Sequence, residues 1–435
     1  QHRTKGGIMS TLWETYRSHV HPLAIALAAA QDRGVLIDKV ARAELVTRFK
    51  QKVADTQVKV NGLIGREINI NSPKQVKELL YDEMKLPTVY KDKKITTDED
   101  AILRLHKQYP NEPVLTLIIS YRKDSKLIST FLEAEVDDDG RIRTSYNVSG
   151  TKNFRISSSK NLWGSGTNLQ NIPIGRRPGV ENIRHIFVAS PGCSFVKGDL
   201  SQAETMAVAR ILCRYNDYAL WDKYINDQNF DIHKWAAAPI FRVPEVDVTP
   251  YQRTVGKVAN HAGNYCAGPG VIQSEARKYA IDGIDYPMAK RIIDTRRAAI
   301  PGLVKWWKDV EVQIRRTRTM TTCLGRRRLF FGRFDDNATI RDAVAFEPQS
   351  TVGDVCNTIF RRLYTTATKL RQKFSWLPVL QVHDEVVVET PDEYIEEVKA
   401  EMKKAAIVPL WLNADMEPLI IHIDISVGKN WRDCK

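Results

Sequence analysis

At 435 residues with 43% hydrophobic content, the chain is long enough to bury a large core and to divide into two or three domains, which excludes a disordered polypeptide. It carries 65 Lys+Arg against 52 Asp+Glu, a net charge of +13 with a pI near 9.3, which favours a polyanionic partner such as nucleic acid. No run of about eighteen apolar residues occurs, and the opening QHRTKGGIMS lacks a signal-type apolar core, so a cytoplasmic protein without membrane association is expected. Cys193, Cys213, Cys266, Cys323, Cys356 and Cys434 are scattered, with no Cys-x-x-Cys pair and no zinc-like spacing, which suits a reducing compartment.

Apolar residues from 23 to 36 fall on a helical stripe, and Arg33-Gly34-Val35-Leu36-Ile37-Asp38 reads as a turn into a short extended piece. Helical patterns follow over 41–63, then over 72–80, where Ser72-Pro73 supplies a cap and a first-turn proline. Lys91 to Lys94 reads as a charged loop, and helices are expected over 99–106 and 113–133. The character then changes: strands are expected over 141–148, 182–188 and 193–199. Helices dominate 202–318, broken near Pro244 to Pro250 and at Pro301. Strands over 379–382 and 386–389 flank a tight turn at His383-Asp384-Glu385, followed by a helix over 391–406 and a strand over 419–425. This order implies one sheet built from two separated stretches, with the middle helices inserted into it.

Asp199 stands at the end of an apolar strand, directly before a helix-forming segment. Alone it reads more often as a helix cap than as a ligand, and Asp384-Glu385 as a polar hairpin tip. Together, strand-end carboxylates from distant positions suit hard divalent cations, and a pair of such ions suits in-line phosphoryl transfer. Between them, Arg253, Lys257, His261 and Tyr265 recur every four residues, which stacks them along one helix face. That face could hold a triphosphate with an aromatic platform for a base, or be a solvated basic surface; Val255, Val258 and Ala259 beside it argue for partial enclosure.

The motifs resemble those of family A DNA polymerases. Asp199-Leu-Ser201-Gln202-Ala-Glu204 looks like the family's first palm motif, Gln381-Val-His383-Asp384-Glu385 its third, and Arg253 to Tyr265 follows the spacing of its fingers helix. The segment from Thr151 to Pro173, with Arg155-Ile-Ser157-Ser158 and Asn168-Leu-Gln170-Asn171, resembles the stretch that meets the primer–template minor groove. Further similarity covers Ser72-Pro-Lys74-Gln75, Tyr121-Arg122, Asp231-Ile-His233, Leu324-Gly-Arg326, Arg341 and Pro348-Gln349, so nearly the whole chain is included.

The resemblance implies an α+β right-hand polymerase fold with an antiparallel-sheet palm, helical fingers and a helical thumb. Its parts would be an N-terminal segment packed on the palm (1–39), thumb (40–130), palm (131–212 and 337–435) and fingers (213–336). It implies a template-directed DNA polymerase, acting as a monomer on primer–template DNA and deoxynucleoside triphosphates with two Mg2+ ions, or Mn2+ in their place, and no proofreading exonuclease in this chain. Accessory replication partners are left open. Asp199, Asp384 and the Leu200 carbonyl would hold metal, with Glu385 nearby, and Lys257 would join the two aspartates in catalysis. Gln202, Glu204, His233, Arg253, Lys257, His261 and Tyr265 would contact the nucleotide, Glu204 crowding the sugar 2′ position. Arg155, Asn168, Gln170, Arg341, Gln349 and His383 would contact primer–template. His261 replaces the family's usual Phe or Tyr, and Ala262 and Cys266 replace glycines; an imidazole there adds a titratable group. The insert from Asn161 to Thr167 is similar to phage-type members. Rival readings are a single-subunit RNA polymerase, a two-metal nuclease and a catalytically silent nucleic-acid-binding module.

Overall fold

The computed structural model describes residues 12–175, 180–227, 229–369, 376–413 and 415–434. Residues 1–11 of the expected N-terminal segment, and Lys435, lie outside them. Helix α1 (His21–Arg33) sets Leu23, Ala26, Leu27 and Ala30 on one stripe, and that stripe enters the main core. Gly34, at φ 61°, ends the helix and turns the chain into the extended Val35–Ile37. Asp38 then caps α2 (Lys39–Ile64), accepting from the Val40 and Ala41 amides at 3.0 Å each. This helix packs along α3 (Pro113–Leu127). Its first half shares a core with the sheet through Leu45 and Phe49, whereas its far end closes over a separate core of Val60, Ile70, Leu80, Leu105 and Ile118.

Three expectations need correction here. The charged loop at Lys91 to Lys94 is a hairpin, Tyr90–Lys91 against Lys94–Ile95, because Asp92 and Lys93 adopt the left-handed φ that a two-residue turn requires. The strand expected over 141–148 is two: Arg141–Ile142 pairs with Val35–Ile37, while Ser145–Asn147 pairs with Ser157–Ser159. Over 182–188 only Phe187–Val188 is extended, since the Asn182 side chain accepts from the Arg184 amide at 3.0 Å and winds Arg184–Ile186 into a 3-10 turn.

Strand β1 (Cys193–Leu200) opens the principal sheet, and the chain then departs into helices. Among these are α4 (Ala203–Leu212), α5 (Ile232–Phe241), α6 (Pro250–Gly263), α7 (Tyr286–Ala299) and α8 (Gly302–Thr317). Helices α5, α6 and α7 have a core of their own, including Ile240, Val255, Ala259, Ile292 and Ile293. A hairpin, Thr319–Thr321 against Arg327–Leu329, comes next, and after it a helix that was not expected at all. Helix α9 (Asn337–Lys369) is 33 residues long and buried on nearly every side, so its sequence carries no two-sided pattern, and Pro348 within it reads as a breaker.

The chain returns with β2 (Leu377–Val382), β3 (Glu385–Pro391), α10 (Ile395–Ala406) and β4 (Ile423–Gly428). The last strand starts later than the expected 419–425, because Leu419 is taken up by an isolated bridge to Leu410. The sheet order is β2-β3-β1-β4, antiparallel throughout, so the early strand is gripped between two late ones and the inserted helices leave and re-enter around it. Side chains alternate across it. Val196, Val386 and Val388 face the core shared with α9 and α10, while Phe195 and Val387 face the core shared with α2 and Trp431. Each such side chain contributes about 1.5–3 kcal/mol on burial. A one-residue slip would send both sets to the wrong face, so packing fixes the register and, with it, the position of Asp199.

Candidate active site

The register places Asp199 of β1 directly between Glu385 of β3 and Asp424 of β4. Asp384 occupies the turn from β2 into β3, following His383 at φ 59°, and its carbonyl accepts from the Leu200 amide at 3.0 Å. Backbone bonds therefore bring the two expected aspartates to one sheet edge. Asp384 is open to solvent on one side, while burial by the surrounding protein raises its pKa, with the Glu204 carboxylate adding to the rise. Behind them the buried Cys356 thiol is also pushed up, by burial first and then by the fields of Asp384, Asp199 and Glu385. The Glu385 carboxylate is engaged by Arg184 at 3.2 Å and by the Trp431 indole. Leu200 is buried, 2% exposed, so any part it plays is through its backbone. Asp424 was not among the expected residues; it accepts from the Ser201 hydroxyl, and its only signal is an acid in an otherwise apolar strand.

Gln202, at φ 48°, turns β1 into α4 and accepts from the Tyr224 hydroxyl at 3.0 Å. The turn delivers Glu204 to the first turn of α4, facing the aspartates. One Glu204 oxygen pairs with Arg155, and the other accepts from the Tyr265 hydroxyl at 2.7 Å. Burial and then the Glu204 charge hold the Tyr265 hydroxyl far above its ordinary pKa, so it is a donor at any ordinary pH. Arg155 lies on Gly353 of α9, and neighbouring Asn153 donates to Gln349 at 3.1 Å.

Helix α6 carries the cations. It begins with a reciprocal capping box between Thr249 and Gln252 behind a first-turn proline. Arg253 pairs with Asp231 at 2.6 Å, and the Lys257 ammonium lies 5.3 Å from the Tyr279 ring centroid. The His233 and His261 rings approach to 5.6 Å. Burial, His261 and Arg253 lower the His233 pKa from 6.5 to about 4, and burial lowers that of His261, so both rings are neutral near pH 7. Helices α5 and α6 touch at Gly256, where a Cβ would collide with the His233 carbonyl oxygen.

Two buried groups that sequence reasoning missed hold this helix in place. Asn260 donates to the Thr205 hydroxyl at 3.0 Å, tying α6 to the helix that carries Glu204. Arg296 of α7 donates to Asn260 at 2.6 Å and Asn264 at 2.9 Å, and burial lowers its pKa to about 10. An Asn on a helix gives no sequence signal for such a role.

The residues expected at primer–template divide. Arg155, Gln349 and His383 lie around the Glu204–Asp384 group, and burial and then Arg155 lower the His383 pKa. Arg341 is half-buried near Cys266. Gln170 is buried and Asn168 half-buried: Asn168 accepts from Ser158 at 2.6 Å, and the Gln170 amide donates to the Gln381 carbonyl at 3.1 Å and side chain at 3.0 Å. Gln381 in turn donates to the His383 carbonyl at 3.1 Å, so Gln170 supports the turn from beneath. Among the described residues no group of three or more His, Cys, Asp or Glu forms a cation site by itself.

Residues 40–433 match the family model for DNA polymerase family A. The chain is 30% identical to the thermostable DNA polymerase I of Thermus filiformis over 98% of its own length and 49% of that protein. It is 28% identical to DNA polymerase I of Lactococcus lactis, over 100% and 48%. It therefore spans about half the length of the curated relatives it matches. Among solved structures, the POL domain of Pol1 from M. smegmatis, in complex with DNA primer-template and dNTP, superposes with a TM-score of 0.82 at 25% identity, covering 97% of this chain and 73% of that one.

Proposed function

From the premise that this chain belongs to DNA polymerase family A, and has its α+β right-hand fold, we propose that it extends a DNA primer by template-directed addition of deoxynucleotides. The observation that carries the proposal is the backbone-locked pair Asp199 and Asp384, with Glu204 beside it and the cations of α6 in the same part of the molecule. In this reading β1 to β4 with α9 and α10 are the palm, α5 to α7 the fingers, and α2 and α3 the thumb.

The donor set fits two Mg2+ ions, with Mn2+ an able substitute. Asp199, Asp384 and the Leu200 carbonyl are hard oxygen ligands, and crowding among Asp384, Glu204 and Asp199 is what a divalent charge relieves. Magnesium characteristically takes one or two protein carboxylates and completes its shell with water and substrate phosphates, which agrees with a protein that offers no closed cage among its described residues. When bound, the ions supply charge stabilisation to the attacking and leaving oxygens of an in-line displacement.

The chain's own residues have separate tasks. Arg253, Lys257 and His233 orient the triphosphate, Arg253 exchanging its bond to Asp231 for phosphate. In this reading Lys257 gives a proton to the departing pyrophosphate. Glu204, fixed from both sides by Arg155 and Tyr265, closes the space a 2′-hydroxyl would need and leaves that hydroxyl opposite a carboxylate already occupied. Arg155, Gln349 and His383 face the primer terminus.

The test is extension of a labelled primer on a DNA template, with deoxynucleotides against ribonucleotides and with Asp384→Ala as control. Template-dependent extension by deoxynucleotides, lost in the variant, is expected. Binding without extension by the wild-type chain would sink the reading.

A further inference from the structure

Between Gly140 and Val180 the sequence carries seven Lys or Arg residues and no Asp or Glu. At the centre of this stretch Leu162 is 96% and Trp163 87% exposed, an arrangement that costs solvation and that a loop has no internal reason to keep. The loop is not slack. The Asn161 side chain accepts from the Trp163 amide at 3.0 Å and the Ser165 amide at 2.9 Å and donates to the Ser165 hydroxyl, while its amide donates to the Ser165 carbonyl at 3.1 Å. Gly164 and Gly166 adopt φ of 87° and 73°, and a Cβ on Gly166 would strike the Arg143 carbonyl. The base is pinned by Thr167, whose amide donates to Arg143 at 3.2 Å and whose hydroxyl donates to Thr130 at 2.7 Å. A self-bonded turn thus holds an aliphatic and an aromatic side chain rigidly in water, with Lys160 exposed next to them.

We propose that this turn is a wedge for duplex DNA: Leu162 and Trp163 seat in the minor groove of the primer–template upstream of the aspartates, and Lys160 and Lys152 meet the flanking phosphates. The inference rests on the primer-extension reading and adds a contact to it. Arg141, Arg143 and Arg155 of this stretch are paired with Glu389, with Asp137 and Asp139, and with Glu204, but Lys152 and Lys160 are exposed in a stretch with no acid of its own, which suits a polyanion, and rigid apolar side chains entering a groove of constant shape is the way proteins wedge duplexes. The tip is also within reach. Trp163 follows Arg155 by eight residues and so lies no more than about 28 Å from it, some eight base pairs of duplex.

The experiment compares wild type with the double variant Leu162→Ser/Trp163→Ser, and with Trp163→Phe, in equilibrium binding to a primer–template and to single-stranded DNA, and in single-turnover extension at saturating DNA. In the double variant the Kd for primer–template is expected to rise about tenfold, the scale of one or two aromatic contacts to a base. Single-stranded affinity, the extension rate at saturation and the thermal midpoint should stay put, and Trp163→Phe should recover most of the duplex affinity. Equal duplex affinity in wild type and double variant would overturn the inference. So would an equal loss on single-stranded DNA, since that would mark a stacking platform. If wild type itself neither binds nor extends primer–template, the underlying reading fails first, and that failure is visible before any variant is made.

Discussion

The sheet edge and helix α6 bring opposite charges toward one site by different means. At the edge, Asp199 and Asp384 owe their positions to backbone hydrogen bonds and strand register. On α6 the cations depend on side-chain ties: Asn260 to Thr205, Arg296 to Asn260, and the close crossing at Gly256. A backbone-built half is stiff, whereas a half held by a few buried polar groups can shift as a body when those bonds exchange. The difference separates variants that remove chemistry from variants that remove placement.

The largest effect is expected where placement is independent of the side chain. Asp384→Ala should lower the extension rate on the order of a thousandfold or more, the range seen when a principal electrostatic group of phosphoryl transfer is lost, while the thermal midpoint changes little; a collapse of the midpoint would mean that the carboxylate is structural after all. On the helix, Asn260→Ala should couple the two readouts. It removes one of the two side-chain acceptors of the buried Arg296 and the partner of the Thr205 hydroxyl, at a cost of about 1–3 kcal/mol, and should raise the nucleotide KM because α6 loses its tie to the Glu204 helix. Gly256→Ala sharpens the same contrast. Alanine is ordinarily worth about 1 kcal/mol to a helix, so a net loss in thermal unfolding would isolate the collision with the His233 carbonyl.

The smallest effect concerns protons. His233 titrates near 4 in the folded chain against 6.5 ordinarily, so the unfolded chain binds more protons between those values and stability should fall as pH drops from 6.5 toward 4. A bound triphosphate acts in the opposite sense by favouring the protonated rings. His261 faces Glu204, Lys257, Glu275 and Arg296 as well as His233. Nucleotide affinity should therefore strengthen a few-fold on mild acidification, and His261→Phe should flatten that slope in a titration of Kd against pH. Parallel slopes would remove the imidazole's charge from consideration.

What could be read in advance follows from range. The insertion of helices into a sheet was legible because strand patterns are local and their order restricts how they can pair. The four-residue spacing from Arg253 to Tyr265 was legible for the same reason, and α6 does run through its first three members. Helix α9 was not, since a helix whose middle, from Ala343 to Phe360, is almost wholly buried has no polar face there to give a period. The burial of Gln170, and the roles of Asn260 and Arg296, depend on partners distant in sequence, and a polar residue looks the same whether it meets a ligand or another buried amide. The insert at Asn161 was visible as extra chain, but its rigidity lies in hydrogen bonds that composition does not reveal.

The grip of two late strands on an early one also has a consequence for synthesis. While the ribosome is still making the helical insertion, β1 has no neighbour on either side, and both its edges offer unpaired amides and carbonyls to any passing strand. Only when Ile423–Gly428 emerges are both edges closed and Asp199 flanked by acids on both sides. The nascent chain thus carries the strand of Asp199 without a partner while the whole helical insertion is made, and its yield should respond to chaperones and to elongation rate far more than the stability of the finished molecule would suggest.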